Sequence, residues 1–344
     1  MIISFNPQIF QVKDTDIQRN IARILISLVK TNHFLDISNI DAIFFNDSRF
    51  VFNENEIASK FLSKVDISEL EDFVNSIILK SSYLTQLHKN HLTQIKIGME
   101  NGEITPNNAQ RILEERSKVI VENGINDWKF IKGVCKKYVS HKQRGSIYNL
   151  ISHAIHKDEL ESDHSGGIGE IVKIAKNWIE SRYKEIFQYK LIAIFDSDRD
   201  SSITFKHEEK VAFFKIKERN LIQLNDYVYG DDDMMYWHIW YKRGLENYLP
   251  LSLMFINIPS ITALQRTNLE AKTSDELDFI KFDGTNVTIQ GVGTIKEVFP
   301  NIFESNFSYK ELEERCKHHR IWSNETQSEI SEFEQILLKI AKIT

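Results

Sequence analysis

Cysteine, glycine and proline are scarce in this chain: 344 residues contain 2 Cys, 13 Gly and 5 Pro. Cys135 and Cys316 lie far apart, which excludes a disulfide framework and a Cys-rich zinc site and suits a reducing cytoplasm. So little Gly and Pro leaves no room for low-complexity segments, and no internal repeat is present. No long apolar run exists. The start, MIISFNPQIF, lacks the basic lead and apolar stretch of a signal peptide. The most apolar segment, LPLSLMFINIP, is too short to span a bilayer. A cytoplasmic protein with no membrane partner is expected. Excess positive charge is also missing. The formal net charge of −6 exerts no global pull on nucleic acid, so any such contact must come from a local patch. SGGIG is not followed by Gly-Lys-Ser/Thr, so the sequence carries no phosphate-binding loop of an ATPase, and no Ser-His-Asp arrangement can be argued.

What is present is an ordinary globular composition, 42% hydrophobic and 27% charged, able to build a core without staples. Residues 1–115 read as a mainly α-helical unit. Ile17–Val29 and Ser68–Leu79 carry apolar residues at helical spacing, behind Asp14 and Asp16 and behind Asp66. AIFF and RFVF read as a hairpin around FNDS, and GEITPNNAQRILEERS as a turn and short helix at a boundary. From Lys118 the pattern changes to α/β. VIVE is a short strand, DWKFIKGVCKKYVSH a helix, and GSIYNLISHAIH a strand or a helix. GGIGEIVKIAKNWIESRYKE is a glycine turn and helix, and KLIAIFDSDRD a second strand ending in acids. Continuous apolar runs separated by helices predict parallel strands buried on both faces. VAFFKI is expected as a strand, YWHIWYKRGLENYL as a helix or helix entry, and SEISEFEQILLKIAKI as an amphipathic helix.

In open α/β sheets, ligands collect outside the carboxyl ends of the strands. Glu122 follows VIV, and Asp196 and Asp198 follow LIAIF. Alternate residues of an extended segment point the same way, so Asp196 and Asp198 can aim at one point. Three carboxylates gathered there repel one another unless a cation neutralises them. A hard cation such as Mg²⁺ takes oxygen ligands of this kind. Taken singly, each acid reads equally well as a solvated loop residue or a helix cap.

VIVENGIND, SGGIGEIVKIAK, LIAIFDSDRD and YKRGLENYL occur in the order of a Toprim (topoisomerase–primase) domain. The chain most resembles the overcoming-lysogenisation-defect nucleases and related Toprim proteins of bacterial anti-phage defence. The resemblance covers about Lys118 to Pro250 and includes Arg243, Glu246, Asn247, Tyr248 and Leu249 of the last motif. It implies a Toprim catalytic domain, Rossmann-like with a mostly parallel sheet flanked by helices, over residues 116–265. The mainly helical unit of residues 1–115 precedes it, and a C-terminal α/β extension of residues 266–344 follows. It further implies a nuclease, dependent on Mg²⁺ or Mn²⁺, hydrolysing phosphodiester bonds of DNA or RNA. Glu122, Asp196 and Asp198 are the implied metal ligands, with Glu122 ligand or general base. The family places an Asp four residues after the Glu; here Asn126 stands there and Asp127 follows, so Asp127 is a further candidate ligand through a longer turn. Asp200 is a ligand or an exposed loop acid. Glu246 reaches the site, or pairs with Arg243 three residues earlier. Lys242 or Arg243 stabilises developing phosphoryl charge.

KFIKGVCKKYVSHKQR places Lys129, Lys132, Lys136, Lys137, Lys142 and Arg144 after Asp127 with no intervening acid. This basic helix beside the acids is a candidate phosphate track, or a solvated face. A second cluster, Lys206, Lys210, Lys215, Lys217 and Arg219, is broken by Glu208 and Glu209. Asp231 to Asp233 read as an acidic turn opening a helix, with Tyr236, Trp237, Trp240 and Tyr241 as core. HKNH at 88–91 and KHHR at 317–320 read as surface. Without ATPase motifs of its own, the chain is expected to act with a separate ATPase or sensor protein of the same defence system, contacted through residues 1–115, and a homo-oligomer is compatible with this. The rival expectation is a non-catalytic Toprim-like adaptor or sensor that binds nucleic acid. A topoisomerase or primase proper lacks support, with no zinc ribbon, strand-passage module or polymerase-like partner domain in the sequence.

Overall fold

A computed structural model describes residues 1–62, 67–141, 146–164, 166–214, 233–258, 260–282, 308–317 and 319–344. Asp66, Lys142, Arg144, Lys215, Lys217, Arg219, Asp231 and Asp232, named above, lie outside the described residues.

The first hundred residues are helical as expected but also contain a parallel sheet. Helices span Thr15–Lys30, Ile67–His88 and Pro106–Glu114, the first opened by Asp14, which accepts from the amides of Asp16 and Ile17. Before and between them run β1 (Ile2–Phe5), β2 (Phe34–Leu35) and β5 (Gln94–Ile97), in the parallel order β2-β1-β5. These strands are two to four residues long, too short to leave a periodic trace in sequence. The hairpin is smaller than AIFF and RFVF implied. Only β3 (Phe45–Asn46) and β4 (Arg49–Phe50) pair, because Ile40–Phe44 is helical. Asp47 and Ser48 at the tip both have positive φ (47° and 65°), as a two-residue turn of this hand requires.

The second sheet positions the acids. It consists of β6 (Ser117–Val121), β7 (Leu160–His164), β8 (Leu191–Phe195) and β9 (Tyr236–Ile239), all parallel, in the order β7-β6-β8-β9. β6 and β8 are buried at every residue, which explains the unbroken apolar runs VIV (residues 119–121) and LIAIF (residues 191–195). Their side chains alternate between two cores. Val119, Val121, Ile192, Ile194 and Tyr236 face one; Ile120, Leu191, Ala193, Phe195, Trp237 and Ile239 face the other.

Three expectations are corrected here. YWHI is strand β9, not a helix entry; all four residues are buried, and a short apolar run has no period by which to tell the two apart. Asp233 therefore precedes a strand, and its carboxylate accepts from Trp237 Nε1 at 2.9 Å. VAFF ends a helix, Glu208–Phe214, whose Val211 and Phe214 are buried three residues apart while Glu208 and Glu209 occupy its first turn. GSIYNLISHAIH, left open above, is the helix Ile147–His156.

The first core crosses both boundaries, at 115 and at 265, and the second crosses the one at 115. The first joins the helices Asn126–His141 and Ile147–His156 to Phe333, Ile336, Leu337 and Ile340 and also takes in Ile2, Phe34 and Leu92. The second joins the sheet to Ile3, Phe5, Ile24, Leu25, Leu28, Ile95 and Ile97. The helix Glu332–Ile343, preceded by the hairpin β10 (Ile321–Ser323) and β11 (Ser328–Ile330), packs against β8 and the helix Ile147–His156. It is buried nearly all round rather than amphipathic. Glu332 and Lys339 of this helix find polar partners in the core. Glu332 accepts from His238 Nε2 at 2.8 Å and from the Tyr241 amide at 2.7 Å, and Lys339 Nζ reaches His238 Nδ1 at 3.0 Å. Since Lys339 can only donate, Nδ1 accepts and Nε2 carries the imidazole proton.

Candidate active site

The carboxyl edge of the second sheet carries the acids because each follows a buried strand directly. Glu122 leaves β6 and Asp196 leaves β8, one strand over. Glu122 Oε1 accepts a hydrogen bond from the Asp196 amide at 2.8 Å, so the two strand ends are tied together. Asp196 is only 8% exposed. The third acid comes from the turn after β9. A Cβ placed on Gly244 would lie 3.0 Å from Asp196 Oδ2 and 3.0 Å from Glu246 Oε2. The two carboxylates therefore share the space over a glycine, and any larger residue would press on both.

The rest of the YKRGLENYL stretch holds Glu246 in place from behind. Asn247 Nδ2 donates to the carbonyls of Leu277 and Ile280 at 2.9 and 3.0 Å, while its Oδ1 accepts from the Gly244 amide at 3.2 Å. Tyr248 is buried and hydrogen-bonded to Glu332. Lys242 is fully buried, paired to Asp278 at 2.5 Å, and lowered to about 8 by burial and by Arg315. It braces the turn and does not face a substrate. Asp278 also takes Arg315 at 2.9 Å and His319 at 2.7 Å. His319 is thus a core residue, contrary to the surface reading of KHHR; His91 is partly buried. Burial pushes the Asp278 carboxyl up, but these cationic and hydrogen-bonding partners outweigh it and hold it low.

The remaining predicted ligands are engaged elsewhere. The extended alternation ends at Asp198, whose φ of +52° is left-handed. Its carboxylate meets His207 Nε2 at 3.1 Å, and its amide donates to the Arg243 carbonyl at 2.9 Å. His207 also has a positive φ, 67°, and accepts at Nδ1 from Lys210 at 3.1 Å, which leaves its proton on the nitrogen facing Asp198. Both oxygens of Asp200 are taken by cations, Oδ1 by Arg243 at 2.5 Å and Oδ2 by Lys206 at 2.6 Å; those hydrogen bonds lower its carboxyl below the usual range. Asp127 caps its own helix. Its Oδ2 accepts from the Asn123 amide at 2.8 Å, while Asn123 Oδ1 accepts from the amides of Ile125 and Asn126. That reciprocal cap resolves the one-residue offset: the acid after Asn126 is where the helix start needs it. Between Asp196 and Asp198, Ser197 is buried and donates to the Lys242 carbonyl at 2.7 Å. Buried Arg199 donates to the Thr204 carbonyl at 2.8 Å and packs on Tyr241 and Phe279.

Among the described residues, no group of three or more His, Cys, Asp or Glu side chains stands close enough to hold a metal ion. A magnesium ion asks for less, one or two carboxylates with water and phosphate completing its shell. The pair Asp196 and Glu246 over Gly244 meets that requirement. No family model, curated protein or solved structure matches the chain.

The helix Asn126–His141 leaves this edge with Phe130, Ile131, Val134, Cys135 and Tyr138 turned to the core. Lys129 and Lys136 are exposed and Lys132 half-exposed, its Nζ 5.9 Å from the centre of the Trp128 ring. These three share one face at helical spacing. Lys137 is turned off that face, and burial beside Lys136 lowers its pKa. Arg243 is largely covered, 13% exposed at the side chain, and is committed to Asp200. Two residues at this edge went unread in the sequence. His207 leaves no motif. His164, at the end of β7, packs so close to Gly124 that a Cβ there would lie 2.6 Å from its own Cβ. The glycine turn beyond it is required by conformation, Gly166 and Gly167 having φ of 72° and 143°.

No helix among the described residues is long and apolar enough to cross a membrane.

Proposed function

We propose that this chain is a Toprim-type nuclease dependent on Mg²⁺ or Mn²⁺, acting on DNA or RNA, with Asp196 and Glu246 as the residues that would hold the metal. The observation that carries this is the convergence of Asp196 Oδ2 and Glu246 Oε2 over Gly244, at the carboxyl edge of a parallel sheet. When bound, the cation supplies Lewis-acid polarisation of a phosphoryl oxygen and a bound water of lowered pKa. Glu122 fixes the Asp196 backbone and with it the direction of that carboxylate. Asn247 and the Lys242–Asp278 pair hold the turn that presents Glu246. Lys129, Lys132 and Lys136 form a row that can track a phosphate backbone away from the edge. Asp198 serves as partner of His207, and Asp200 and Asp127 serve structure, so the ligand set is narrower than the sequence implied. By the same resemblance the protein would serve anti-phage defence beside a separate ATPase or sensor.

A second reading, a non-catalytic nucleic-acid-binding adaptor or sensor, is favoured by one observation: Asp127, Asp198 and Asp200 are each engaged by protein groups. One experiment separates the two. Plasmid, linear duplex, single-stranded DNA and tRNA are incubated with wild type, Asp196→Asn and Glu246→Gln, in Mg²⁺, Mn²⁺ or chelator. Metal-dependent cleavage lost in both variants is expected. Cleavage that persists in both variants or in chelator rejects the site. Absence of cleavage together with no calorimetric Mn²⁺ binding by wild type establishes the adaptor.

A further inference from the structure

The opposite, amino-terminal edge of the same sheet contains a cavity of about 400 Å³. Its walls come from the end of the helix Thr15–Lys30, the segment before β6, the turn before β7 and the residue before β8. Each wall segment but the one before β6 supplies a lysine: Lys30, Lys157 and Lys190. Lys30 and Lys157 are exposed at the mouth, and Lys190 is 2% exposed and lines the interior. None of the three ammonium groups has a hydrogen bond or ion pair among the described residues. Of the four acids that line the cavity, Asp158 is exposed beside Lys157, and the other three are differently placed. Glu115 is bound by Arg182 at 2.5 Å, and Glu114 accepts from Gln110 at 2.8 Å. Glu159 is half-buried, accepts from Asn32 at 3.3 Å, and is raised in pKa by burial. The negative pole of the helix Thr15–Lys30 does not oppose an anion, because Lys80 Nζ covers the carbonyls of Leu28 and Thr31.

A buried ammonium without a partner is costly, and an arriving anion removes that cost. Three lysines from three elements fit a multiply charged anion better than a single carboxylate. Glu159 beside them is an acceptor for hydroxyl groups and would repel a second phosphate. We propose that this cavity binds a small sugar phosphate, free or within a mononucleotide, with the phosphate on Lys190, Lys30 and Lys157 and sugar hydroxyls on Glu159. The volume admits a ligand of that size. The site stands apart from the acids and holds whatever chemistry they perform. Burial lowers Lys190 to about 7, so bound phosphate would restore its charge.

The test is thermal unfolding and calorimetric titration of the full chain with ribose 5-phosphate, adenosine monophosphate and inorganic phosphate, against sodium chloride at equal ionic strength. Both sugar phosphates are expected to raise Tm by a few degrees and to exceed inorganic phosphate. Lys190→Met should abolish the shift. It should also fold, since it replaces a desolvated charge by an apolar side chain of similar length. The paired mouth variant Lys30→Ala with Lys157→Ala should weaken binding at least about tenfold, the loss of roughly 1.4 kcal/mol. Asp196→Asn should leave the shift intact, which separates this site from the nuclease reading. No shift beyond the salt control, or the same shift in Lys190→Met, overturns the proposal. Equal shifts from inorganic phosphate and ribose 5-phosphate overturn the sugar assignment.

Discussion

A missing side chain at Gly244 is what allows Asp196 and Glu246 to stand together. Gly244→Ala should therefore displace both carboxylates. Cleavage should fall about 100-fold, the usual cost of roughly 1 Å of misplacement, while stability falls by about 1–3 kcal/mol. Initial rates and a denaturant melt on the same sample check both. Asp200 offers an opposite prediction. It holds Arg243 and Lys206, so Asp200→Asn should release two cations and tighten nucleic-acid binding in a low-salt titration, the gain fading as salt rises. At this scale the sequence was partly legible. Glu122 and Asp196 were readable because each directly follows a buried apolar run. Asp198 was not, because nothing in DSDRD announces a left-handed residue, and that single torsion redirects its carboxylate to His207. Asp127 misled for a different reason: capping a helix and ligating a metal call for the same residue type at nearly the same place.

Elements were legible where they were long or broken by acids and glycines. The helices Thr15–Lys30 and Asn126–His141 could be read because their faces repeat over four turns. YWHI and VAFF could not, since four apolar residues fit either a strand or a helix turn, and only the neighbours decide. The basic helix supports a prediction at its own scale. Changing Lys129, Lys132 and Lys136 together to Ala should reduce duplex affinity uniformly across sequences. It should also flatten the plot of log affinity against log salt by up to about 2.7, near 0.9 for each lost phosphate contact. Thermal stability should move little, because these side chains lie on the solvent side. Fluorescence anisotropy across a salt series measures the slope.

Across the whole molecule, burial of titratable groups governs the response to pH. Burial and Lys339 lower His238 from 6.5 to about 4, and burial lowers Lys190 from 10.5 to about 7. In each interval the unfolded chain binds more protons than the folded one, so stability rises with pH there. The melt should lose stability on acidification from about 6.5 to 4, and gain it from about 7 to 10.5, each at up to about 1.4 kcal/mol per pH unit. Lys190→Met should reduce the alkaline gain, most clearly between about 7 and 8, and leave the acid loss, because Lys80 and Lys242, each lowered from 10.5 to about 8, still contribute above that. Residues 1–115 were read as a separable unit because their helices are self-evident in sequence and their short strands are not. In the structure Ile120, Leu191, Ala193 and Phe195 share a core with Ile3, Phe5 and Leu25. Removing residues 1–115 should therefore yield insoluble or unfolded protein by gel filtration and circular dichroism, rather than a free nuclease.

The helix Glu332–Ile343 lies against β8 and supplies Phe333, Ile336, Leu337 and Ile340 to the core that begins with Ile2. A ribosome reaches those residues more than three hundred codons after the first strand. Until then the flank of β8 that carries Ile192 and Ile194 lacks part of its cover, and His238 waits for Glu332. At about 5–20 residues per second the wait is tens of seconds. The nascent chain is thus a natural client for a chaperone, and its acids would be ordered only after the last helix has arrived.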